Sequence, residues 1–495
     1  MWTNSRRDFL KLGCILLPLW KGFPVLSDDS GPATVNDIHS QLNATSVDCI
    51  VKPTSMSDLR RVIAQARSRG TPISIAGGRH SMGGQQFGAN TILVDMTGMN
   101  RVIGLDAEKG VVEAEAGIEW PQLIDHLVEA QRGLERQWGI IQKQTGADRL
   151  SLGGALASNI HSRGLRMKPI IADVESFDLV DHQGDVRRCD RSQNSELFRL
   201  VIGGYGLFGI VSAVRLRLAP RRKLERVVEL KEVKDVMPSF EKRIADGYLY
   251  GDFQFATESK RDNFLRSGVF PCYRPVDIST PIPPGQKKFS DKDWGRLTYY
   301  AHKYKRRAFN VYTKRYLATS GQVYWSDEHQ LAAYDDNYHA ELDRKLHARV
   351  PATEMITEIY VPRTSLAAFM EEARQTLREQ QANLIYGTVR LVEKDDESFL
   401  AWARQPYACI VFNLHVTHDP PGIENAARVF RSLIDAGINH GGSYYLTYHH
   451  WATREQVVAC YPRFAEFLQM KRTYDADEMF QSDWYRHYKK MFEMN

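Results

Sequence analysis

The segment Pro72–Gln85, with the sequence PISIAGGRHSMGGQ, joins a short apolar strand to a turn that contains four glycines. Glycine permits positive φ and close approach of the backbone to a ligand, so successive N–H groups in such a turn can form a concave site for phosphate. A second apolar run, Thr91–Asp95, follows within ten residues. A dinucleotide loop of the Rossmann type opens a helix instead. The segment therefore predicts a phosphate-binding turn between two strands.

A second segment rich in small residues, Thr145–Gly164, reads TGADRLSLGGALASNIHSRG. Small residues are needed where backbone packs directly against a flat ring system or a diphosphate. Further along, Gly204–Gly209 has the form G-x-G-x-x-G, but apolar residues alternate with Arg215 and Arg217 after it. Alternation with a period of two is typical of a strand, whereas a Rossmann fingerprint must open a helix. We therefore do not expect NAD binding.

The loop Gly78–Gln85 resembles the G-R/G-x-H-S-x-x-G-Q loop that surrounds the FAD pyrophosphate in the superfamily of vanillyl-alcohol oxidase and p-cresol methylhydroxylase. Residues 145–220 resemble the second half of the same FAD domain, and the closest resemblance is to the aldonolactone, alditol and cytokinin oxidase branch. In those enzymes the histidine before the serine bonds covalently to the 8α-methyl of the flavin, which implies that His80 is the tether. The resemblance assigns these residues to FAD: Ala76, Gly77, Gly78, Arg79, His80, Ser81, Gly84, Gln85, Thr145, Gly146, Gly153, Gly154, Ser158, His161, Ile210 and Val211.

The chain of 495 residues is long enough for two domains with separate cores. The resemblance implies an α+β fold, in which a two-subdomain FAD-binding domain of the p-cresol methylhydroxylase type precedes an α/β substrate domain with a central antiparallel sheet. We place the parts as follows: a signal segment at 1–27, the FAD domain at 43–220, the substrate domain at 221–455, and a C-terminal segment that returns to the FAD domain at 456–495.

The formal net charge of +5 is small and scattered, so we expect no nucleic-acid partner. The basic and aromatic cluster Lys303–Arg307 is better explained as a solvated helical face. The cysteines lie far apart and show no C-x-x-C spacing. The sequence therefore predicts neither a metal site nor a disulfide framework.

The N-terminal residues Ser5–Lys11, SRRDFLK, match the twin-arginine export signal. The apolar run Leu12–Trp20 that follows is too short to span a bilayer as a stable helix. This export route carries folded proteins, which suits an enzyme that must acquire its flavin before it crosses the membrane. We therefore expect the twin-arginine machinery as a partner and a periplasmic or otherwise exported location.

Three short segments resemble substrate-binding strands of the aldonolactone and alditol oxidases. Tyr386–Arg390 resembles their E-x-R strand, with Thr388 in place of the glutamate; Phe412–His415 resembles a neighbouring strand; and His449–Thr453 resembles H-W-A-K without the lysine. The resemblance implies catalytic or substrate-binding roles for four residues: Arg390, Asn413, His415 and His450.

Each of these residues also has a structural explanation. Arg390 could pair with a nearby carboxylate such as Glu393, and His415 could be a half-buried histidine with satisfied hydrogen bonds. In the catalytic interpretation, one group takes the hydroxyl proton of the substrate and the cation stabilises the developing alkoxide.

The sequence therefore predicts an FAD-dependent oxidoreductase that oxidises a CH–OH group of a sugar-related or other small alcohol by hydride transfer to flavin N5. The missing glutamate and lysine make a plain polyol less expected and favour a less hydroxylated, more aromatic or amine-bearing molecule. Two alternatives stay open: a cytokinin-like CH–NH oxidase or dehydrogenase, and a non-catalytic flavin-binding protein. The electron acceptor is expected to be oxygen, a quinone or another carrier.

Overall fold

The computed structural model describes residues 31–332 and 338–493. The twin-arginine motif and the rest of the signal segment 1–27 lie outside the described residues. Among the helices of the described ranges, none combines the length and the apolar character that crossing a bilayer would need.

The first part of the chain contains a two-stranded sheet, two larger sheets and the helices that cover them. Its strands are β1 (Ala33–Val35), β2 (Thr45–Val47), β3 (Cys49–Val51), β4 (Ile73–Ala76), β5 (Ile92–Asp95), β6 (Val102–Asp106), β7 (Val111–Glu115), β8 (Trp138–Ile140), β9 (Val174–Val180), β10 (Val186–Asp190) and β11 (Ile210–Pro220). Its helices are α1 (Met56–Arg69), α2 (Trp120–Ala130), α3 (Leu152–Ala157) and α4 (Ser195–Val201).

The glycine turn leaves the end of a small parallel sheet, in which β5 lies between β3 and β4. Helix α1 leads into this sheet: Ser55 caps its N-terminus, and Gly70 ends it in the left-handed conformation with φ of 62°. The second sheet is antiparallel, with the order β10-β9-β11-β7-β6 and with β8 added to β11. Since β11 starts directly after Gly209, the expectation of a strand rather than a Rossmann helix is confirmed.

The second part of the chain is built around one large antiparallel sheet. Its strands are β12 (Lys223–Glu232), β13 (Tyr250–Gly251), β14 (Phe253–Phe255), β15 (Ser267–Val276), β16 (Val323–Trp325), β17 (Ala352–Pro362), β18 (Leu384–Val392), β19 (Tyr407–Thr417) and β20 (Ser443–Tyr444). The remaining helices are α5 (Val233–Ala245), α6 (Asp291–Lys303), α7 (Lys305–Leu317), α8 (Tyr338–Leu346), α9 (Leu366–Glu379), α10 (Pro420–Asn439), α11 (Arg454–Cys460), α12 (Phe464–Tyr474) and α13 (Asp483–Glu493).

Strand order in this sheet brings the candidate catalytic segments side by side. The order is β16-β12-β15-β14-β18-β19-β17-β20, with β13 paired to β15. Strand β19 therefore lies between β18 and β17, and its register places Glu354 opposite His415 and Arg390 opposite Cys409. The mixture of helices and large antiparallel sheets confirms the α+β class.

Helix α5, which runs from Val233 to Ala245, includes a proline, Pro238, in its interior. Proline removes one backbone donor and usually lies near a helix start. Burial of Val236 and Phe240 on one face keeps the earlier turns helical despite the missing donor.

The C-terminal segment pairs with β4 at the edge of the small parallel sheet. Ile73 of β4 donates its N–H to Met479 O at 2.7 Å and accepts from Gln481 N at 2.8 Å. Asp475 fixes this segment, because its carboxylate accepts the N–H groups of Met479 and Phe480 and forms an ion pair with Lys471. The side chains of Lys471 and Asp475 are both fully buried.

Asp475→Ala should destabilise the protein by about 3–5 kcal/mol, because it leaves the Lys471 ammonium buried without its counter-ion. The exposed pair Arg463–Glu466 provides a matched control: Glu466→Ala should leave the free energy of unfolding nearly unchanged. Urea unfolding monitored by tryptophan fluorescence measures both free energies. Equal effects of the two substitutions would contradict this role of Asp475.

Candidate active site

Gly77 and Gly78 lie where the turn after β4 meets the segment before α3. A Cβ on Gly77 would overlap the hydroxyl of Ser151, and a Cβ on Gly78 would overlap the carbonyl oxygen of Arg149. The left-handed conformations of this turn belong instead to Arg79 (φ 56°) and Gly84 (φ 76°). The paired glycines are therefore required for close approach of two backbone segments, not for positive φ.

His80 lies in the same turn and is only 8% exposed. Its Nδ1 lies 2.9 Å from Nε2 of His39, and the two rings share one hydrogen bond. Burial and the nearby imidazole of His80 lower the pKa of His39 to about 3, so His39 is neutral at physiological pH. His39 was missed in the sequence because it comes from a polar segment about 40 residues earlier with no recognisable motif.

Both glycine-rich segments line one large cavity of about 2070 Å³. The assigned cofactor residues in its lining are Ala76, Gly77, Gly78, Arg79, His80, Ser81, Gln85, Thr145, Gly146, Gly153, Gly154, Ser158, His161 and Val211. Gly84 and Ile210 are not in the lining. Gly84 lies beside Asn43, and Ile210 packs into an apolar cluster with Val180 and Phe480.

The cavity fits a flavin dinucleotide together with a second molecule. Ligand pockets usually enclose about 300–1000 Å³, and this cavity is more than twice the upper value. Glycines at its wall let backbone approach a ligand where a Cβ would intrude. The buried hydroxyl of Thr145 has no hydrogen-bond partner among the described residues and is available to a bound molecule.

The structure does not bring His450 into the cavity lining. Gln85 donates from Nε2 to Thr447 O at 2.7 Å and to Leu446 O at 3.2 Å, which fixes that segment to the glycine turn. Three residues after Thr447, the Nδ1 of His450 lies 3.4 Å from Gly83 O, and its ring packs on His487. The sequence placed His450 over the flavin; here it contacts the backbone of the turn, because the chain after Thr447 is held against that turn.

A buried acid, imidazole and thiol meet on the sheet side of the cavity. Nε2 of His161 and Sγ of Cys409 both form hydrogen bonds with Oε1 of Glu358, and they lie 3.7 Å from each other. Burial raises the pKa of Glu358, but the charge and hydrogen bond of His161 outweigh burial and hold it at about 2. Burial and the neighbouring Glu358 raise the pKa of Cys409 well above its usual value, so the thiol keeps its proton.

Arg390 lies in the cavity lining and does not pair with Glu393, the carboxylate close to it in the sequence. Glu393 pairs instead with Arg363 at 2.8 Å. Arg390 is buried in the cavity lining, and its Nε has no hydrogen-bond partner among the described residues. Burial lowers the pKa of Arg390, but Tyr386, Cys409, Glu358 and Asp252 together raise it above its usual value. The guanidinium is therefore held charged at the cavity wall.

A carboxylate stands beside Thr388 even though the glutamate of the resembled motif is absent. Asp252 accepts hydrogen bonds from Thr388 Oγ1 at 3.1 Å and from Gln254 Nε2 at 2.7 Å. It lies in the cavity lining, and its other oxygen, Oδ1, is buried without a partner among the described residues. Pairing of β14 with β18 carries Asp252 there from 136 residues away, so no local motif could indicate it.

Asn413 and His415 lie on the same strand, but only Asn413 lines the cavity. Asn413 lines the cavity, and its Oδ1 is buried without a hydrogen-bond partner in the described chain. His415 is outside that lining and forms a hydrogen bond through Nδ1 with Glu354 Oε1 at 3.2 Å. The structure therefore places Arg390, Asn413 and Asp252 in the lining of one cavity, and places His415 in a neighbouring cluster around Glu354.

Residues 47–190 match the family model described as an FAD binding domain. The match covers both glycine-rich segments and falls inside the FAD domain that the sequence predicts. It therefore agrees with the fit between the cavity walls and a flavin dinucleotide.

Several proteins of known name are similar to this chain. An L-gulono-1,4-lactone dehydrogenase of Mycobacterium tuberculosis is 24% identical over 88% of this chain and 95% of its own length. An L-gulonolactone oxidase of Bos taurus is 29% identical over 39% of this chain and 42% of its own length. Cytokinin dehydrogenase 10 of Oryza sativa subsp. japonica is 26% identical over 67% of this chain and 56% of its own length.

Gly78→Ala should weaken FAD binding about 5- to 160-fold and lower the FAD content of the protein, because overpacking of about 1–3 kcal/mol would separate the two walls of the cavity. Gly104→Ala is the control, since a Cβ at Gly104 meets nothing within 4 Å. Absorbance of protein purified without added flavin measures FAD per chain. Wild-type FAD content in Gly78→Ala would contradict the close-approach explanation.

Proposed function

Because this chain belongs to the vanillyl-alcohol oxidase and p-cresol methylhydroxylase superfamily of FAD-dependent oxidoreductases, we propose that it oxidises a CH–OH group of a sugar-related or other small alcohol. Similarity over 95% of the length of a lactone dehydrogenase supports this choice. The observation that carries the proposal is one wall of the cavity, where buried atoms of Asp252, Arg390 and Asn413 have no hydrogen-bond partner among the described residues.

The two glycine-rich segments hold FAD in this proposal. The turn at Gly77–Ser81 and the segment Gly153–Ser158 provide backbone groups and small side chains for the nucleotide, and Thr145 provides a hydroxyl. When bound, FAD would supply the acceptor for the hydride of the substrate carbon. The protein contributes position, charge and proton transfer around that event.

The substrate binds between Asp252, Arg390 and Asn413. Asp252 Oδ1 accepts the hydrogen bond of the reacting hydroxyl and takes its proton as the C–H hydride departs, so the alcohol loses one proton and one hydride. Arg390 stabilises the negative charge that develops on the oxygen, and Asn413 accepts a hydrogen bond from a second hydroxyl. Cations and acceptors in a water-poor site act strongly because they need little reorganisation.

Asp252 changes the expectation about the substrate. The sequence lacks the glutamate at position 388, which made a hydroxylated substrate less expected. With the Asp252 carboxylate hydrogen-bonded to Thr388, the site again contains an acidic group beside Arg390. This supports a hydroxylated ring such as a sugar lactone.

An amine substrate is the second candidate. The chain is 26% identical to a cytokinin dehydrogenase over 67% of its length, and a carboxylate such as Asp252 could bind an ammonium group. Arg390 argues against this, because two cations in one buried site repel each other.

We also propose that FAD is attached covalently through His80 and that the twin-arginine route exports the folded protein. The buried His80, held by neutral His39, supports the first proposal, since a fixed imidazole is oriented for bond formation. The motif Ser5–Lys11 supports the second. Reoxidation by oxygen, a quinone or another carrier is left open in this proposal.

Anaerobic mixing of the purified yellow protein with aldonolactones, alditols, sugar acids and amines should bleach the flavin absorbance with an alcohol substrate only. Reduction by amines alone would favour the second candidate, and reduction by none of these compounds would favour a non-catalytic flavin-binding protein.

Asp252→Asn and Arg390→Gln should each slow flavin reduction by the best alcohol about 10²–10³-fold without loss of FAD. Arg217→Gln on β11 is a matched control, because Arg217 is half exposed and pairs with Glu175 on the surface. Stopped-flow absorbance gives the rate constants. A wild-type rate in either cavity variant would contradict the assigned roles.

His80→Ala should release all of its flavin into the supernatant on acid precipitation, whereas wild-type protein should keep its flavin in the pellet. His126→Ala, on the exposed face of α2, should behave like the wild type. If the His80→Ala pellet stays as yellow as that of the wild type, the proposed tether is wrong.

A further inference from the structure

Three histidines from separate elements meet at one carboxylate beside the cavity. Oε1 of Glu354 lies 2.7 Å from Nε2 of His302 and 3.2 Å from Nδ1 of His415, and Oε2 lies 2.8 Å from Nε2 of His339. The hydroxyl of Tyr338 also bonds Oε2. We call the set His302, His339, Glu354 and His415 the Glu354 cluster.

The Glu354 cluster is buried. The four side chains are between 2% and 13% exposed. An enclosed carboxylate of this kind needs hydrogen-bond donors or positive charge around it.

The hydrogen bonds of His302 determine which ring nitrogen carries the proton when the ring is neutral. Nδ1 of His302 lies 2.8 Å from the carbonyl oxygen of Thr298, which can only accept, so Nδ1 carries a proton. In a neutral ring, Nε2 then directs a lone pair at an oxygen of Glu354, which also has lone pairs. Either a proton shared by these two atoms or a cation between them must resolve this conflict.

A divalent ion resolves the conflict and engages all four side chains. One proton on His302 also resolves it, because neutral His339 and His415 can each donate the N–H that faces Glu354, so zinc binding by the protein distinguishes the two states. Imidazole and carboxylate are normal ligands of zinc and similar ions, and a metal-bound histidine usually donates its other N–H to a carbonyl, as His302 does.

The spacing of the ligand atoms suits such an ion. The ligand atoms of His302, Glu354 and His415 lie within 4.8 Å of one another. Ligands at about 2.0–2.1 Å in a tetrahedron are about 3.3 Å apart, so the atoms of Glu354 and His302, which are 2.7 Å apart, need to separate by roughly half an ångström.

We propose that the Glu354 cluster binds one divalent transition-metal ion, for which zinc is the probe. The ligands come from α6, α8, β17 and β19, so the ion ties two helices of the cavity wall to the sheet. Four protein ligands without an open position are typical of a structural site. The sequence predicted no metal site because only cysteine spacing was considered, and these ligands are spread over more than 110 residues.

The test uses the untagged, flavin-loaded full chain, dialysed against metal-free buffer after exposure to zinc. We expect about one zinc per chain by plasma mass spectrometry in the wild type and less than a tenth of that in Glu354→Gln and His302→Ala. Losing a ligand should weaken affinity at least about 100-fold, since even outer contacts cost 10–100-fold. His440→Gln is the matched control, because His440 pairs with Glu372 at 2.9 Å away from the cluster and should leave zinc unchanged.

A second measurement covers variants that fold poorly. Wild-type protein stripped with a chelator and titrated with zinc in a calorimeter should bind one equivalent, and its unfolding temperature should rise. Absence of stoichiometric zinc binding by the wild type, or equal zinc in the wild type, Glu354→Gln and His302→Ala, would overturn the proposal and leave an imidazolium–carboxylate network. Neither measurement needs substrate turnover, so failure of the proposed function would not affect the result.

Discussion

Direct contact between two backbone segments about 70 residues apart is the constraint on which the rest of the site depends. Gly77 and Gly78 approach Ser151 and Arg149 so closely that no Cβ fits between them. Both sides of this contact line the cavity, and so does His80, which lies in the same turn. The C-terminal segment supports the same turn from the other side, because its backbone pairs with Ile73 in the strand that leads into the turn.

The opposite wall of the cavity is built from buried charge. Arg390, Asp252, Glu358 and Glu354 all lie in or beside the lining, where an unpaired ion would be costly. Strand pairing holds these groups near one another, because β14, β18, β19 and β17 are neighbours in the sheet. The atoms that stay without hydrogen-bond partners among the described residues then face the space where a substrate and a flavin would lie.

Local motifs were enough to predict the glycine turn, the segment before and within α3, the strand after Gly209 and the position of Arg390. Contacts between distant segments place Asp252 beside Thr388, His39 beside His80, and the members of the Glu354 cluster together. No spacing in the sequence indicated these contacts. For His450, recognising the motif was not enough to predict where the side chain lies. A motif can be recognised while the path of the chain, fixed here by Gln85, turns the side chain toward another surface.

The position of the diphosphate tests the central claim most directly. An experimental structure of the natively purified yellow protein would show where that group lies. We predict the diphosphate beside the backbone of Gly77–Ser81, with the flavin ring extending toward Arg390 and Asp252. A colourless protein, or a dinucleotide bound away from this turn, would contradict the account.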